Sequence, residues 1–256
     1  MSSVSGVRIV WEERGSGPTL LLIQGLGYAR WSWEPVLPGL AERFRVISFD
    51  NRGIGESDKP AGPYTAREMA DDALQVLDEA GVERAHVLGA SLGGMIAQEL
   101  AVAAPERVAR LVLCCTTPGG AATVPMPEVT VRLFAESGAL PPEVALRRFV
   151  ENALAPGAPA GLVEELYERR LAGPPDPVGW PAQAAAGMGF QGVDHAIEAP
   201  TLLLTGTEDN VVDPRNTDVL AERIPGARVE RIAGTGHLFF WERPDAVVRI
   251  VTEFLQ

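Results

Sequence analysis

The chain is poor in the residues that would make several readings easy. Its 256 residues include two cysteines, three histidines and one lysine, Lys59, against 21 arginines. Cys114 and Cys115 are neighbours in an apolar run. A ring closed between adjacent cysteines is strained, so both read as buried free thiols and the expected location is cytoplasmic. No histidine, cysteine and carboxylate group stands at ligand spacing, so neither a metal nor an organic cofactor is expected. No apolar stretch approaches the ~18 residues of a membrane span, and Met1–Val10 lacks a charged start followed by an apolar run. Basic runs are missing too, and the net charge is −12 with a pI near 4.8. That excludes nucleic acid and anionic membrane surfaces as expected partners, since both need a basic patch. What is there is 46% hydrophobic and 22% charged, the composition of a globular domain able to bury one sizeable core.

Against this background the pentad Gly89-Ala90-Ser91-Leu92-Gly93 stands out as G-x-S-x-G. The run before it, Ala85 to Leu88, reads as a short buried strand. The run after it carries Leu92, Met95, Ile96, Leu100 and Ala103 at helical spacing. A serine in so tight a strand-to-helix turn is lifted clear of the backbone, and glycines are needed where a Cβ would collide with a neighbour. The helix start behind it offers unpaired N–H groups where an oxyanion could form.

Strand-like and helical runs alternate along most of the chain, the pattern of a mostly parallel twisted sheet covered on both faces. Strands are expected over Val7–Glu13, Thr19–Ile23, Arg45–Phe49, Ala85–Leu88, Ala109–Cys115, Thr201–Thr205 and Arg228–Ile232. Helices are expected over Trp31–Glu42, Thr65–Ala80, Leu92–Ala104, Arg215–Ile224 and Pro244–Leu255. Thr65 with Glu68 forms a capping-box pattern. From Pro118 to Pro200 the rhythm changes, for 12 of the 21 prolines fall here. Proline removes a backbone donor and breaks helices, so a regular layer is not expected. The stretch still keeps large apolar groups to bury, with helical fragments near 128–137, 142–153 and 161–171. It reads as a helical lid, residues 118–198, inserted into a core of 1–117 and 199–256.

A serine hydroxyl needs a base within hydrogen-bond reach, and that base needs a third group to hold its tautomer. Three histidines compete for the role. His86 lies within a strand and His195 in a polar turn, whereas His237 sits in a glycine-rich loop just beyond a strand, where active-site residues of open α/β sheets collect. Asp209, in the loop leaving Thr201–Thr205, is the candidate acid, with Glu208 and Asp213 as local competitors. The order serine, acid, histidine, each after a different strand, favours Asp209. Gln24-Gly25-Leu26-Gly27 follows another strand and suits a second oxyanion donor, the N–H of Leu26, beside that of Leu92.

Together these positions resemble the α/β-hydrolase family over nearly the whole chain. The family's His-Gly pair, Asp-x-Arg-Gly-x-Gly-x-Ser turn, nucleophile elbow, Gly-x-x-Asp loop and Gly-His segment correspond to Gln24-Gly25, Asp50 to Ser57, Gly89 to Gly93, Gly206 to Asp209 and Gly236-His237. The departure is Gln24 where histidine is usual. Within the family the chain is most similar to small cofactor-free esterases and to 3-oxoadipate enol-lactonase, from Gly62-Pro63-Tyr64-Thr65 through Pro105-Glu106-Arg107-Val108. The resemblance implies an α/β-hydrolase fold and a hydrolase of carboxylic esters acting through an acyl-enzyme. Ser91 is then the nucleophile, His237 the base and Asp209 the acid. Leu26, Leu92 and Leu238 would line an apolar pocket, joined by Phe134, Trp180, Met188 or Phe190 from the lid. An enol-lactonase would also need an arginine for its substrate's carboxylate, such as Arg132, Arg147 or Arg148. A carbon–carbon bond hydrolase, a cofactor-free perhydrolase or haloperoxidase, and an inactive hydrolase-fold binding protein are the alternatives. Relatives with aspartate at the elbow are excluded by Ser91. Leu92 and Leu26 argue against perhydrolases, which carry methionine after the serine and an aromatic residue in the oxyanion loop.

Overall fold

Thr19–Ile23 is an uninterrupted apolar run because both sides of it are covered. Leu20 and Leu22 pack into one hydrophobic layer while Leu21 and Ile23 pack into the other, as successive strand side chains point to opposite faces. The computed structural model describes residues 6–256; the first five residues of the Met1–Val10 segment lie outside them. The strands are β1 (Trp11–Arg14), β2 (Thr19–Ile23), β3 (Arg45–Phe49), β4 (Ala85–Ala90), β5 (Val108–Cys114), β6 (Thr201–Gly206) and β7 (Arg228–Ile232). They form one sheet in the order β1-β3-β2-β4-β5-β6-β7, with β1 antiparallel and the others parallel. This is the mostly parallel sheet covered on both faces that the alternation of elements predicts, in the α/β-hydrolase arrangement that the resemblance implies.

The flanking helices are α1 (Leu37–Ala41), α2 (Ala66–Glu79), α3 (Leu92–Ala103), α8 (Asn216–Arg223), α9 (Phe239–Glu242) and α10 (Pro244–Leu255). One layer joins α2, α3 and α8 to the sheet through Met69, Leu77, Ile96, Leu100 and Leu220. The other joins α1, α9 and α10 through Leu40, Phe240, Val247 and Val251. The capping box at α2 forms on both sides: the Glu68 N–H donates to Thr65 Oγ1 at 3.1 Å and the Thr65 N–H to Glu68 Oε2 at 2.9 Å. Between β5 and β6 run α4 (Glu128–Ser137), α5 (Pro142–Ala153), α6 (Leu162–Ala172) and α7 (Gly179–Gly189).

Three expectations need correction. Residues 7–10 are not strand, because their backbone is taken by the turn at Ser57-Asp58: the Val10 N–H donates to Ser57 Oγ at 2.8 Å and the Asp58 N–H to the Arg8 carbonyl at 3.0 Å. The helix expected over Trp31–Glu42 is split into a 3₁₀ turn, Arg30–Trp33, and the short α1, as Pro35 and Pro38 withhold amide donors. The helix α7 has no counterpart among the expected elements. Its sequence GWPAQAAAGMG offers little apolar contrast, although Gly179, Ala182, Gln183 and Ala186 are buried at helical spacing.

Candidate active site

The elbow forms because β4 runs straight into α3. Ser91 joins them at φ 56° and ψ −118°, a conformation that costs a non-glycine residue on the order of 1–3 kcal/mol. Neighbours hold it there. The Ser91 N–H donates to the Cys114 carbonyl at 2.9 Å, and the Ser91 carbonyl accepts from the Thr116 hydroxyl at 2.7 Å and the Gly94 N–H at 2.9 Å. A Cβ on Gly93 would run into the carbonyls of Ile23 and Gln24, so only glycine lets the helix start this close to β2. Likewise a Cβ on Gly25 would sit 3.0 Å from the Ser91 Cβ, which places the loop after β2 directly against the serine.

The loops after β6 and β7 bring the other two residues together. Asp209 is buried; its Oδ1 accepts the N–H groups of Val211 at 2.7 Å and Val212 at 2.9 Å, leaving Oδ2 to meet His237 Nδ1 at 2.7 Å. The two loops are laced together: the Glu208 N–H donates to the Thr235 carbonyl at 2.8 Å and the Gly234 N–H to the Thr207 side-chain Oγ1 at 2.9 Å. Burial disfavours a charged His237, but the Asp209 carboxylate beside it wins and holds the imidazole well above its ordinary value. The competing acids are elsewhere. Glu208 is exposed and Asp213 pairs with Arg215. His195 is exposed, and His86 stacks edge-on with Phe44 and is kept below its usual value by burial.

Two backbone donors at Ser91 are uncommitted. On either side of Leu26 the N–H groups are taken, Gly25 by Gln24 Oε1 at 2.8 Å and Gly27 by Gln183 Oε1 at 3.0 Å. Among the described residues the N–H groups of Leu26 and Leu92 have no acceptor; Leu92 opens α3, where no intrahelical partner exists. Gln24, the unusual residue here, shapes this loop. Its carbonyl oxygen caps Gly25 while its amide nitrogen donates to Ser32 Oγ, and its backbone carbonyl accepts from Asn51 Nδ2 at 2.8 Å.

A family model described as alpha/beta hydrolase fold matches residues 18–158 and 173–244. The chain belongs to that family. It is 33% identical over 262 residues to a protein of Azorhizobium caulinodans provisionally named carbamate hydrolase RutD, across 96% of this chain and 94% of that one. Among solved structures it is similar to a thermophilic esterase from Thermogutta terrifontis, with a TM-score of 0.82 and 27% identity over 99% of this chain and 95% of that chain. It is also similar to the enol-lactonase of Burkholderia xenovorans LB400, with a TM-score of 0.81 and 28% identity over 98% of both.

Around this α/β-hydrolase site the expected pocket residues are scattered. Leu238 is buried and its N–H donates to the Ala153 carbonyl at 3.1 Å; Phe190 is buried against the Gly119 loop. Trp180 lies on the loop after β2, with its indole carbon Cδ1 2.8 Å from where a Gly27 Cβ would stand. Phe134 packs on Phe149 and is 39% exposed, and Met188 is 86% exposed, so both face solvent substantially. The arginines Arg132, Arg147 and Arg148 are engaged in pairs with Glu128, Glu164 and Glu136.

Sequence reasoning missed Arg170 on α6. It is only 8% exposed and forms no ion pair among the described residues, and its Nε has no acceptor. The guanidinium lies 4.4 Å from the centre of the Tyr28 ring, and its Nη2 3.7 Å from the position of a Gly27 Cβ. Arg170 falls within residues 159–172, the gap between the two matched segments of the family model. A weak cue existed in sequence: Arg169-Arg170 ends a helix whose other arginine pairs outward with Glu34.

Proposed function

We propose that the protein hydrolyses carboxylic esters through an acyl-enzyme. Ser91 Oγ attacks the ester carbonyl while His237 Nε2 takes its proton and passes it to the departing alcohol. Asp209 keeps the Nδ1 proton of His237 in place and stabilises the imidazolium. The N–H groups of Leu26 and Leu92 receive the oxyanion, and each such donor is worth about 3–4 kcal/mol in comparable sites. Water activated by the same imidazole then releases the acid from Ser91. The observation that carries this reading is the buried Asp209–His237 contact of 2.7 Å on loops leaving the same sheet edge as Ser91. Residues 118–198 act as a lid in this scheme, with α7 touching the oxyanion loop through Trp180 and Gln183. Replacing Ser91 with alanine tests the reading: hydrolysis of p-nitrophenyl acetate and butyrate is expected to fall by about a thousandfold or more. Near-wild-type turnover would overturn it.

Arg170 supports a second reading on substrate, that of an enol-lactone or another substrate bearing a carboxylate. A buried, unpaired guanidinium costs several kcal/mol unless an anion meets it. Esters with and without a free carboxylate distinguish the two readings: Arg170→Met is expected to raise KM for the anionic ester at least tenfold and to spare the neutral one. Equal effects on both would remove this second reading.

A further inference from the structure

Cys115 has no part in the ester chemistry, yet it stands beside it. The residue follows β5 at φ 41°, a left-handed conformation unusual for cysteine, with its N–H donated to the Leu204 carbonyl at 2.8 Å. Its sulfur, a carboxylate oxygen of Asp209 and a ring nitrogen of His237 all lie within 4.8 Å of one another, and all three residues are buried. No other group of three such ligands occurs among the described residues. In a tetrahedral zinc site, metal–ligand distances of about 2.0–2.3 Å set ligand atoms roughly 3.3–3.8 Å apart, so the atoms farthest apart close by about an ångström, and if Nδ1 is the ring ligand its 2.7 Å contact with Asp209 opens to that spacing. Thiolate, imidazole and carboxylate together suit Zn²⁺ and not Mg²⁺ or Ca²⁺. The outer shell is already built, because Oδ1 of Asp209 is fixed by the Val211 and Val212 N–H groups.

We infer that Cys115, Asp209 and His237 form a zinc site whose occupation switches the hydrolase off. Zn²⁺ enters with water as its fourth ligand, and the Cys115 thiol gives its proton to solvent. The imidazole keeps one proton. If Nε2 binds the metal, its lone pair is used; if Nδ1 binds, the ring proton moves to Nε2. Either way nothing remains to accept the proton of Ser91. The site itself does not depend on Ser91 being the nucleophile; only the switching rests on the proposed esterase reading.

Cobalt and zinc test the two parts separately. Metal-free protein titrated with Co²⁺ is expected to develop a thiolate-to-cobalt charge-transfer band that Zn²⁺ abolishes, while Cys115→Ala and Cys115→Ser, checked for folding by circular dichroism, develop none. Zn²⁺ is expected to suppress p-nitrophenyl acetate hydrolysis reversibly, with EDTA restoring it. In Cys115→Ala the half-inhibiting zinc concentration, taken against that variant's own metal-free rate, is expected to rise at least tenfold. No cobalt band in the wild-type protein overturns the site. A band without loss of hydrolysis, or equal zinc sensitivity in wild type and Cys115→Ala, overturns the switch.

Discussion

Two buried arginines in this protein are treated in opposite ways. Arg52, in the loop after β3, is closed off by the core: its Nε and Nη2 donate to the buried Asp72 of α2, and its backbone carbonyl accepts from Gln183 Nε2 at 2.7 Å. The Asp72 hydrogen bond outweighs desolvation and holds this guanidinium above its usual range. Arg170, in the helical segment between β5 and β6, has a tyrosine ring for company and no carboxylate among the described residues. A charge paired inside the core is structure. One left unpaired beside the loop after β2 keeps a desolvation cost of which a contact with Tyr28 recovers about 2 kcal/mol, and the proposed carboxylate-bearing substrate would meet the rest. His237 resembles Arg52 in this respect, since its Nδ1 meets the buried Asp209 at 2.7 Å.

The comparison can be broken in four places. The largest effect is expected from Asp209→Asn, which strips the buried imidazole of its partner: kcat/KM should fall about 10⁴-fold, as in comparable triads. Because Asp209 holds the His237 value up, the wild-type pH–rate profile should lose activity at a pH above the ordinary histidine range as acid is added. In the variant that acid limb should move down. The folding linkage has the same sign: the raised value contributes stability fully below about pH 6.5, and that contribution is lost as pH rises through the folded value. A pH–rate profile unchanged in Asp209→Asn would contradict the assignment.

Second in size, Asp72→Asn leaves the buried Arg52 with only the half-exposed Glu68, 3.9 Å away, as counter-charge and should cost about 3–5 kcal/mol in urea unfolding. Third, Arg170→Met should lose no stability in the same measurement, while KM for a carboxylate-bearing ester rises. A loss matching that of Asp72→Asn would show that Arg170 is structural after all. The smallest effect concerns Glu242, whose Oε1 accepts the Gly236 N–H at 2.8 Å and the Ala155 N–H at 3.3 Å, tying the histidine loop to the end of α5. Burial raises this carboxyl against the pull of those two donors. Glu242→Gln keeps an oxygen acceptor and should change kcat/KM by no more than about threefold, whereas Glu242→Ala, leaving both N–H groups unmet, should cost about 1–3 kcal/mol in unfolding.

Much of this was written locally. β2 and β3 coincide with their apolar runs because a strand buried on both faces must be apolar throughout, and α2 begins where Thr65 and Glu68 reciprocate. Ser91, Asp209 and His237 could be named as candidates because each follows a strand in a glycine-bearing loop. Other features left no local trace. The helix α7 hides in small residues beside which Gln183 and Trp180 approach the loop after β2, whereas the split of Trp31–Glu42 does have a local cause in Pro35 and Pro38. Gln24 stands where histidine is usual, and only the structure brings its amide against both Gly25 and Ser32.

The amino-acid order by itself determined the alternation of strands and helices, the sharp bend at Ser91 and the scarcity of candidate bases, because periodicity, glycine and residue counts act within a few positions of the chain. Only the tertiary structure decided that Asp209 meets His237, that Cys115 stands within 4.8 Å of both, and that Arg170 is buried without an anion. Those are relations between residues up to 122 positions apart. They arise when parallel strands place their loops along one edge, and nothing in the spacing of the sequence measures that distance.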